Sequence, residues 1–459
     1  MRPVNRLPPE VIALSATFVS LTDPRPVVSL THVCRYWRKA IASSPRNWAS
    51  ISSEWKQLVP LCLERVGVVP LTVDITVPDI SGDDIFLQAL LPHASKISQL
   101  SLTRYSSIET VVDTLPGFFT SPMPDLTSLK LEQTGRPTES FPSDETPPPP
   151  LFQYASKLKS LHLTRTPLYP SLISISSLVD LKLVGYTTPF QFRKFIEFLR
   201  TNRDLELIVL DIQFAEVPRK PSARTVSLPR LRQLSFACVQ APDAQRLIKS
   251  ISFPRDILLE VSASRENEDF DLYMSQLSLA LPKELFTPIT TIKNQNEPGV
   301  IQIYGGGSCF TFRCSRSLLD ACSGFSLFPT TAVREFHVGT SSCNTLPTAL
   351  SQLSGLETLV LVGVASFPYN LLDFLAQEPV LCPSLKTLAF FDCNLDWRVV
   401  EHLERVVAKR KESTAAWLYR IVIVRNRTGP LPDQGFIHRL RGSVPRVDAR
   451  IDDKLPDLS

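Results

Sequence analysis

The stretch LTSLKL at Leu126–Leu131 decides the fold, because its pattern of apolar and polar residues returns along the chain. In each copy an apolar residue is followed, after two other residues, by two apolar residues separated by one. The last two apolar residues alternate with other residues, which is the period of a β-strand with one buried face. Copies begin at Ile97, Leu126, Leu158, Leu178, Leu205, Leu231, Val333, Leu356, Leu385 and Leu418.

The spacing of these copies is typical of a repeat protein. Neighbouring copies are mostly separated by lengths close to the ~20–29 residues of a leucine-rich repeat. In this respect the chain resembles a degenerate leucine-rich-repeat array, a resemblance that implies parallel strands and returning segments on the outer side. The Asn that ends each repeat in that family is mostly missing, although Cys393 fits the family's alternative Cys. Four of the other copies have Thr134, Thr166, Tyr186 and Val364 at this position.

Amphipathic segments between the copies predict helical returns. The clearest is DWRVVEHLERVVAKRK at 396–411, whose apolar residues share one helical face. Similar patterns occur at 189–202, 241–251 and 369–378. No clear copy lies in 258–332, where we expect a β-rich insertion or distorted repeats. An ordinary α/β domain with unrelated parallel strands is the alternative to a repeat array.

The first fifty residues predict helices instead of repeats. The segment LPPEV at Leu7–Val11 opens a helix, since proline is tolerated in a first turn and Glu10 suits the positive end of the helix dipole. After a turn at 22–26, the spacing predicts a single second helix that ends at 43–45. One stripe of this helix carries Val27, Leu30, Cys34, Trp37 and Ile41.

This helical unit is too small to bury its own apolar stripes. A unit of ~50 residues is marginally stable without help. A stripe that contains tryptophan is typical of an interface, where an aromatic side chain anchors a partner. Either the rest of the chain or another protein is therefore expected to cover it.

Two segments of this unit, LPPEV and SLTHVCRYWRKAIASSPRNW at Ser29–Trp48, resemble the F-box motif. That motif reads Leu-Pro-x-Glu-(Leu/Val), then Val-Cys-(Arg/Lys)-x-Trp, then a closing Trp. The family binds the small adaptor of a cullin–RING (SCF-type) ubiquitin ligase, so the resemblance implies this adaptor, and through it a cullin, as partners. The family has an Ile-Phe pair in its first helix. In this chain Phe18, which comes one helical turn later, is expected to take the place of that pair. By position the adaptor-binding residues are Leu7, Pro8, Val11, Phe18, Val33, Cys34, Trp37 and Trp48.

Together these resemblances imply the substrate-recognition subunit of such a ligase, which is not itself an enzyme. An unknown target protein would bind the outward positions of the repeat strands. Two alternatives stay open: a repeat scaffold or sensor without a ligase, capped by the N-terminal helices, and a hydrolase or transferase within 258–332. The predicted target-binding residues are Ser128, Lys130, Ser160, His162, Asp180, Lys182, Thr387 and Phe391, with Ala389 between the last two.

The expected fold class is α+β: a small all-α F-box-like unit, then an irregular leucine-rich-repeat-like α/β solenoid with parallel strands. The expected organisation is a helical domain at 1–51, a connecting helix at 52–67, a repeat domain at 68–428 and a C-terminal tail at 429–459.

Composition excludes several other classes of protein. A net charge of +4 without basic and aromatic clustering argues against a nucleic-acid partner. No window has the ~18–20 apolar residues that span a bilayer, so we expect no membrane partner and a cytoplasmic or nuclear protein. Phosphate-loop, Gly-x-Ser-x-Gly and His-Glu-x-x-His motifs are missing, and no cofactor is expected. Cys309, Cys314 and Cys322 lack paired metal-ligand spacing.

Overall fold

The computed structural model of the chain divides into two compact units, residues 1–219 with 226–231 (unit 1) and residues 220–225 with 232–459 (unit 2). The residues that the structure describes are 7–20, 25–76, 85–105, 118, 121–134, 155–166, 175–185, 190–212, 214–215, 225–237, 241–263, 289–294, 300–305, 308–314, 332–339, 346–363, 369–377, 381–393, 395, 397–412, 417–425 and 434–451.

Unit 1 begins with three helices. The single second helix predicted from the sequence is wrong, because the chain is extended at Cys34, where φ is −163°. The Arg38 Nε–H donates to the Thr31 carbonyl over 2.9 Å, which satisfies a carbonyl that the interrupted helix leaves open. The helices are α1 (Pro9–Ser20), α2 (Arg25–Thr31) and α3 (Arg35–Ala42).

A series of short elements joins these helices to the first long strand. The segment predicted as one connecting helix holds a 3₁₀ segment, which non-helical backbone at Trp55 interrupts, and then a helix. Ser53 lies between β1 and this helix, and its Oγ accepts a hydrogen bond from the Thr76 backbone N–H over 2.8 Å. The elements are a 3₁₀ turn (Pro45–Trp48), β1 (Ser50–Ser52), a second 3₁₀ turn (Ser53–Leu58) and α4 (Val59–Val66).

The strands of unit 1 form a parallel sheet in the order β1-β2-β3-β4-β5-β6-β8. Five of them coincide with the repeated hexamers and β2 with an earlier apolar segment, which confirms the predicted parallel α/β repeat fold. The strands are β1, β2 (Leu71–Thr76), β3 (Ile97–Tyr105), β4 (Ser128–Gln133), β5 (Ser160–Thr164), β6 (Asp180–Val184) and β8 (Leu207–Leu210).

Alternate residues of these strands build the core of unit 1. Leu129 pairs in register with Leu161 on the next strand, and Leu161 pairs with Leu181. All three side chains are buried. Each is followed two residues later by another buried leucine, so the two apolar positions of every hexamer face the core, as the alternation predicts.

The remaining elements of unit 1 are short, apart from one helix that packs its aromatic face inward. The ring centroids of Phe192 and Phe214 lie 5.2 Å apart in an edge-to-face arrangement. These elements are α5 (Ile85–Leu90), a 3₁₀ turn (Leu91–Lys96), β7 (Phe190–Gln191), α6 (Phe192–Thr201), β9 (Phe214–Ala215) and β10 (Val226–Ser227).

Unit 2 contains parallel strands interrupted by an antiparallel insertion. Within 258–332, where the sequence predicts a β-rich insertion or distorted repeats, β16, β15 and β14 pair antiparallel between parallel neighbours. From β17 onward all pairing is parallel. The strands are β11 (Gln233–Ala237), β12 (Ile251–Ser252), β13 (Leu258–Ala263), β14 (Ile289–Asn294), β15 (Val300–Gly305), β16 (Ser308–Cys314), β17 (Glu335–Gly339), β18 (Thr358–Val362), β19 (Thr387–Phe391), β20 (Arg420–Arg425) and β21 (Arg446–Ile451).

The end of unit 2 differs from the sequence prediction, because residues 434–451 fold as a further repeat and not as a tail. A helix there buries Phe436 and Leu440, and β21 pairs in parallel with β20. The hexamer pattern is hard to recognise in the sequence of this repeat, because Ala449 occupies a position where the other copies have a large apolar residue. The helices of unit 2 are α7 (Ala241–Ser250), α8 (Leu346–Ser351), α9 (Tyr369–Ala376), α10 (Trp397–Glu412) and α11 (Gln434–Ser443).

Hydroxyl and thiol groups replace the missing asparagines at the repeat ends. The Thr134 Oγ1–H donates to the Tyr105 carbonyl over 3.2 Å, and the Cys393 thiol donates to the Leu361 carbonyl over 3.2 Å. Each bond reaches back to the preceding repeat, so it connects the ends of neighbouring repeats. Thr166 also donates to a carbonyl of the preceding strand. Tyr186 and Val364 lie outside the described residues.

Gly185, at the end of β6, has a φ of 73°, and a Cβ there would lie 3.0 Å from the Cγ of Arg165. Replacing Gly185 with alanine is expected to lower the free energy of unfolding by about 1 kcal/mol, because a left-handed backbone is costly for an L side chain. Urea denaturation measures this change. The control is Gly442→Ala in α11, where nothing lies within 4 Å of the added Cβ. Equal losses for both variants contradict the prediction.

Candidate functional site

The first candidate surface is the solvent side of α1. Ile12 and Ala16 are buried and attach the helix to the rest of unit 1. The larger apolar side chains lie on the opposite face, which inverts the usual amphipathic arrangement. The exposed fractions are 42% for Leu7, 43% for Val11, 57% for Leu14 and 67% for Phe18.

Val33, in the break between α2 and α3, is also an exposed apolar residue, with an exposed fraction of 57%. The Tyr36 hydroxyl donates a hydrogen bond to the Leu7 carbonyl over 2.9 Å, which attaches the start of α1 to α3. Pro8 is exposed beside Leu7, and Cys34 is half-buried. We name the five residues Leu7, Val11, Leu14, Phe18 and Val33 the hairpin surface.

The two tryptophans of the predicted site support the helices from within. Trp48 is buried, and its indole N–H donates to the Ile41 carbonyl over 3.2 Å. The Arg65 guanidinium lies 4.5 Å from the centre of the Trp48 ring, a cation–π contact. Trp37 is half-buried. Trp48 is therefore unavailable for direct contact with a partner in this conformation, which corrects its predicted place on the surface.

The helices are attached to the sheet through β1 and the residues that flank it. β1 pairs in parallel with β2, and the Thr72 backbone N–H donates to the Ala49 carbonyl over 2.9 Å. The Arg25 guanidinium lies 4.2 Å from the centre of the Trp55 ring. These contacts fix the direction of the hairpin surface relative to β2.

The second candidate surface is the outward side of β4, β5 and β6. One row across these strands places Ser128, Ser160 and Asp180 side by side. All three are half-buried, as are the residues of the next row. We name the two rows the sheet face, and they hold Ser128, Lys130, Ser160, His162, Asp180 and Lys182.

Electrostatics single out the row of Lys130, His162 and Lys182. Burial lowers the pKa of His162, and the charges of Lys182 and Lys130 lower it further, whereas Glu132 raises it. The Lys130 ammonium forms an ion pair with Glu132 over 2.9 Å. The row is therefore electropositive, with a neutral imidazole at neutral pH between two ammonium groups.

The predicted target-binding positions of unit 2 have a different environment. Ala389, expected to face outward, is buried together with Val360 and Val422 on the neighbouring strands. Phe391 is half-buried and packs against this cluster, and Thr387 is half-buried at the start of β19. Both faces of these strands are therefore packed in their centre, and the outward prediction for Ala389 is wrong.

The described residues contain no cluster of side chains suited to metal binding or to thiol chemistry. No group of three His, Cys, Asp or Glu side chains in that part of the chain is placed to hold a metal ion. Cys322 lies outside it. Burial raises the pKa of the Cys62 and Cys382 thiols to about 11, which disfavours the reactive thiolate. None of the described helices has the length and apolar character needed to cross a bilayer.

Comparison with known proteins identifies no family. No family model and no curated protein matches the chain. A leucine-rich-repeat protein of Leptospira interrogans is 13% identical over 90% of this chain and 98% of its own, with a TM-score of 0.34. A chain of the yeast Rad7 and Elc1 complex is 15% identical over 84% of this chain and 89% of its own, with a TM-score of 0.33. At these TM-scores neither likeness carries an argument about function.

Leu14 belongs to the hairpin surface although the F-box resemblance does not include it. Its spacing is the signal, since Leu7, Leu14 and Phe18 recur at intervals that bring side chains to one face of a helix. Glu132, the next outward residue of β4, restrains Lys130 through its ion pair.

Proposed function

We propose that this chain is the substrate-recognition subunit of a cullin–RING (SCF-type) ubiquitin ligase. The hairpin surface binds the small adaptor protein, and the adaptor links the chain to a cullin. The sheet face binds a target protein. The chain itself catalyses no reaction.

The outward apolar face of α1 is the observation that carries this proposal. A helix of a small unit gains stability by burying its apolar face, yet α1 buries Ile12 and Ala16 and exposes Leu14 and Phe18. Covering one such large side chain stabilises a complex by roughly 1.5–3 kcal/mol. A protein partner that covers several of them together gives a specific interface, and the F-box resemblance of the same residues supports the ligase adaptor as that partner.

The scaffold alternative gives the helices only a capping role. Capping is carried by the opposite side, through β1, Trp48 and Arg65. A capping role does not require Phe18 to be exposed. The hairpin surface therefore favours a partner in addition to a cap.

Attachment to the sheet suits the transfer of ubiquitin by proximity. The pairing of β1 with β2 and the ring contacts of Arg25 and Arg65 restrain the helices and so limit the directions in which a bound target can point. A target held on the same unit as the adaptor then has a high effective concentration near the ligase, which accelerates transfer without a catalytic side chain on this chain.

Replacing Phe18 with alanine is expected to weaken binding of the purified SCF adaptor by roughly 30-fold, the effect of truncating an aromatic interface anchor. Leu14→Ala is expected to weaken it as well. Isothermal titration calorimetry measures both. Since both side chains are exposed, the thermal unfolding of each variant should match that of the unmodified chain.

The matched control is Val68→Ala, because Val68 is 93% exposed and lies away from the hairpin surface. This variant should bind the adaptor as the unmodified chain does. If the unmodified chain does not bind the adaptor, or if Phe18→Ala and Leu14→Ala bind it normally, the ligase proposal is wrong and the scaffold alternative takes its place.

A further inference from the structure

We propose that unit 2 has a further interaction surface, which binds an extended acidic segment of a partner protein with proline at its centre. The surface lies where strands β17 to β21 begin. It goes beyond the proposed function, since it includes no residue of the hairpin surface or of the sheet face. We name it the rim, and it consists of Arg334, Glu357, Lys386, Trp417, Tyr419 and Arg446.

Backbone hydrogen bonds align most of the rim in one row across neighbouring repeats. The Glu357 N–H donates to the Arg334 carbonyl over 2.9 Å, and the Lys386 N–H donates to the Glu357 carbonyl over 2.8 Å. The Tyr419 N–H donates to the Lys386 carbonyl over 2.8 Å, and the Arg446 N–H donates to the Tyr419 carbonyl over 3.1 Å. Neighbouring strands are about 4.8 Å apart, so the row is about 19 Å long, the length of roughly six residues of extended peptide.

Two exposed aromatic side chains lie side by side in the rim. Trp417 is 52% exposed and Tyr419 is 59% exposed, whereas Leu418 between them is fully buried. This alternation places the two rings on the solvent side, about 7 Å apart along an extended backbone. Neither side chain has a hydrogen bond or a ring contact with another residue in the described part of the chain. One compact ring of a ligand fits between them, and proline brings such a ring on a backbone that is already extended.

Positive charge exceeds negative charge on the first side of this aromatic pair. The Glu357 carboxylate is shared between two cations, at 3.4 Å from the Arg334 guanidinium and 3.1 Å from the Lys386 ammonium. The Lys386 side chain is 62% exposed. One carboxylate does not neutralise two cations, and an ammonium group has three donors. Lys386, the neighbour of Tyr419 in the row, therefore keeps charge and donors that a ligand can reach.

The same arrangement recurs on the other side of Tyr419. The Asp448 Oδ2 atom accepts from Arg420 Nε over 3.0 Å and from Arg446 Nε over 3.1 Å. The Arg446 side chain is 57% exposed, and its two Nη atoms have no partner among the residues that the structure describes. Cations with unused donors thus flank the aromatic pair on both sides. Carboxylates before and after a proline complement this arrangement.

An acidic peptide suits the rim better than a single-stranded nucleic acid does. A nucleic acid carries a phosphate at every nucleotide and would bring some of this charge against Glu357 and Asp448. A peptide can place its carboxylates beside Lys386 and Arg446 alone. Exposed ion pairs are weak one by one, so we expect the aromatic pair to supply most of the affinity and the cations to select acidic ligands.

The probe is a fluorescent peptide of sequence Asp-Glu-Pro-Pro-Pro-Glu-Asp, added to the full chain and followed by fluorescence anisotropy. We expect it to bind, and binding should weaken as salt is added, because salt screens exposed charges. Trp417→Ala should weaken binding roughly tenfold, the effect of truncating an aromatic anchor. Lys386→Ala should weaken it about threefold and make it less sensitive to salt. A peptide with alanines in place of the prolines should bind more weakly than the probe.

Phe18→Ala is the matched control, since Phe18 is an exposed aromatic residue outside the rim. It should leave peptide binding unchanged, and Trp417→Ala should leave adaptor binding and thermal unfolding unchanged. If Trp417→Ala does not fold, Lys386→Ala and the alanine peptide decide the result.

The proposal is overturned if the probe does not bind, if the folded Trp417→Ala variant binds it normally, or if the alanine peptide binds equally well. It is also overturned if an oligouridylate of seven nucleotides binds more tightly than the probe. Peptide and adaptor are measured separately, so a chain that binds the peptide but not the adaptor loses the proposed function and keeps this inference.

Discussion

Arg410→Ala is expected to lower the free energy of unfolding of unit 2 by about 4 kcal/mol, because it removes a buried side chain together with its hydrogen bonds to two backbone carbonyls. Arg410 lies on α10 and is fully buried. Its guanidinium donates to the carbonyls of Cys382 and Leu381 in the turn before β19, the contact to Cys382 being 3.3 Å from Nη2. This side chain thus connects a helix to the turn that positions a strand.

The turn itself has a strained backbone, since φ at Cys382 is 50°. Burial lowers the pKa of Arg410 to about 10, so the guanidinium remains charged at neutral pH. The charge strengthens its bonds to the carbonyls, which hold the turn in a conformation that a non-glycine residue avoids.

Lys409→Ala is the matched control for this experiment. Lys409 is the exposed neighbour of Arg410 on α10, where it forms an ion pair with Glu412 over 3.3 Å. Exposed pairs of this kind contribute less than about 1 kcal/mol. Urea denaturation, with hydrogen exchange of the β19 amides as the local measurement, separates the two variants. If Arg410→Ala is no less stable than Lys409→Ala, the structural role assigned to Arg410 is wrong.

Asn202→Ala is expected to destabilise unit 1 by about 3 kcal/mol, because it leaves several buried polar groups unpaired. The Asn202 side chain is fully buried at the end of α6. Its Oδ1 accepts from the Leu178 backbone N–H over 3.1 Å, and its Nδ2 donates to the Ile175 carbonyl over 2.8 Å. Nδ2 also donates to the Phe198 carbonyl over 3.0 Å, so one amide connects α6 to the segment before β6.

Two further variants make the Asn202 prediction specific. Asn202→Asp keeps the acceptor for Leu178 but loses both donors and adds a buried charge, so it should be at least as unstable as the alanine variant at neutral pH. Its stability should recover as the pH falls and the carboxyl gains a proton. Arg203→Ala, at the exposed next residue, should be neutral. Differential scanning calorimetry compares the three, and equal stability of all variants contradicts the prediction.

Much of unit 1 is predictable from sequence, because local alternation and final burial agree there. In β4 to β6 every leucine of the hexamer is buried and every residue between is partly exposed. In β18 to β20 the agreement is weaker. Val360, Ala389 and Val422 stand where the pattern expects outward residues, yet they are buried. A two-residue period cannot reveal a second layer of packing on the opposite face of a sheet.

The residues of the candidate site also differ in how well the sequence predicts their place in the structure. Val11, Leu14 and Phe18 recur at helical spacing, and the structure exposes the face of α1 that they share. The place of Trp48 could not be derived from spacing, since its burial depends on contacts with Ile41 and Arg65. Lys130, His162 and Lys182 lie far apart along the chain, and only the register of the strands brings them together.

The pairing of β1 with β2 has a practical consequence for experiments on the hairpin surface. β1 covers the edge of β2, where Val73 and Ile75 are buried. A chain that lacks the residues up to and including β1 would present this edge, and unprotected strand edges associate with one another. Such a truncated protein is expected to aggregate, so its failure to bind any partner would be uninformative. Single substitutions on the solvent side of α1 keep the edge covered and are the appropriate means of removing one interaction at a time.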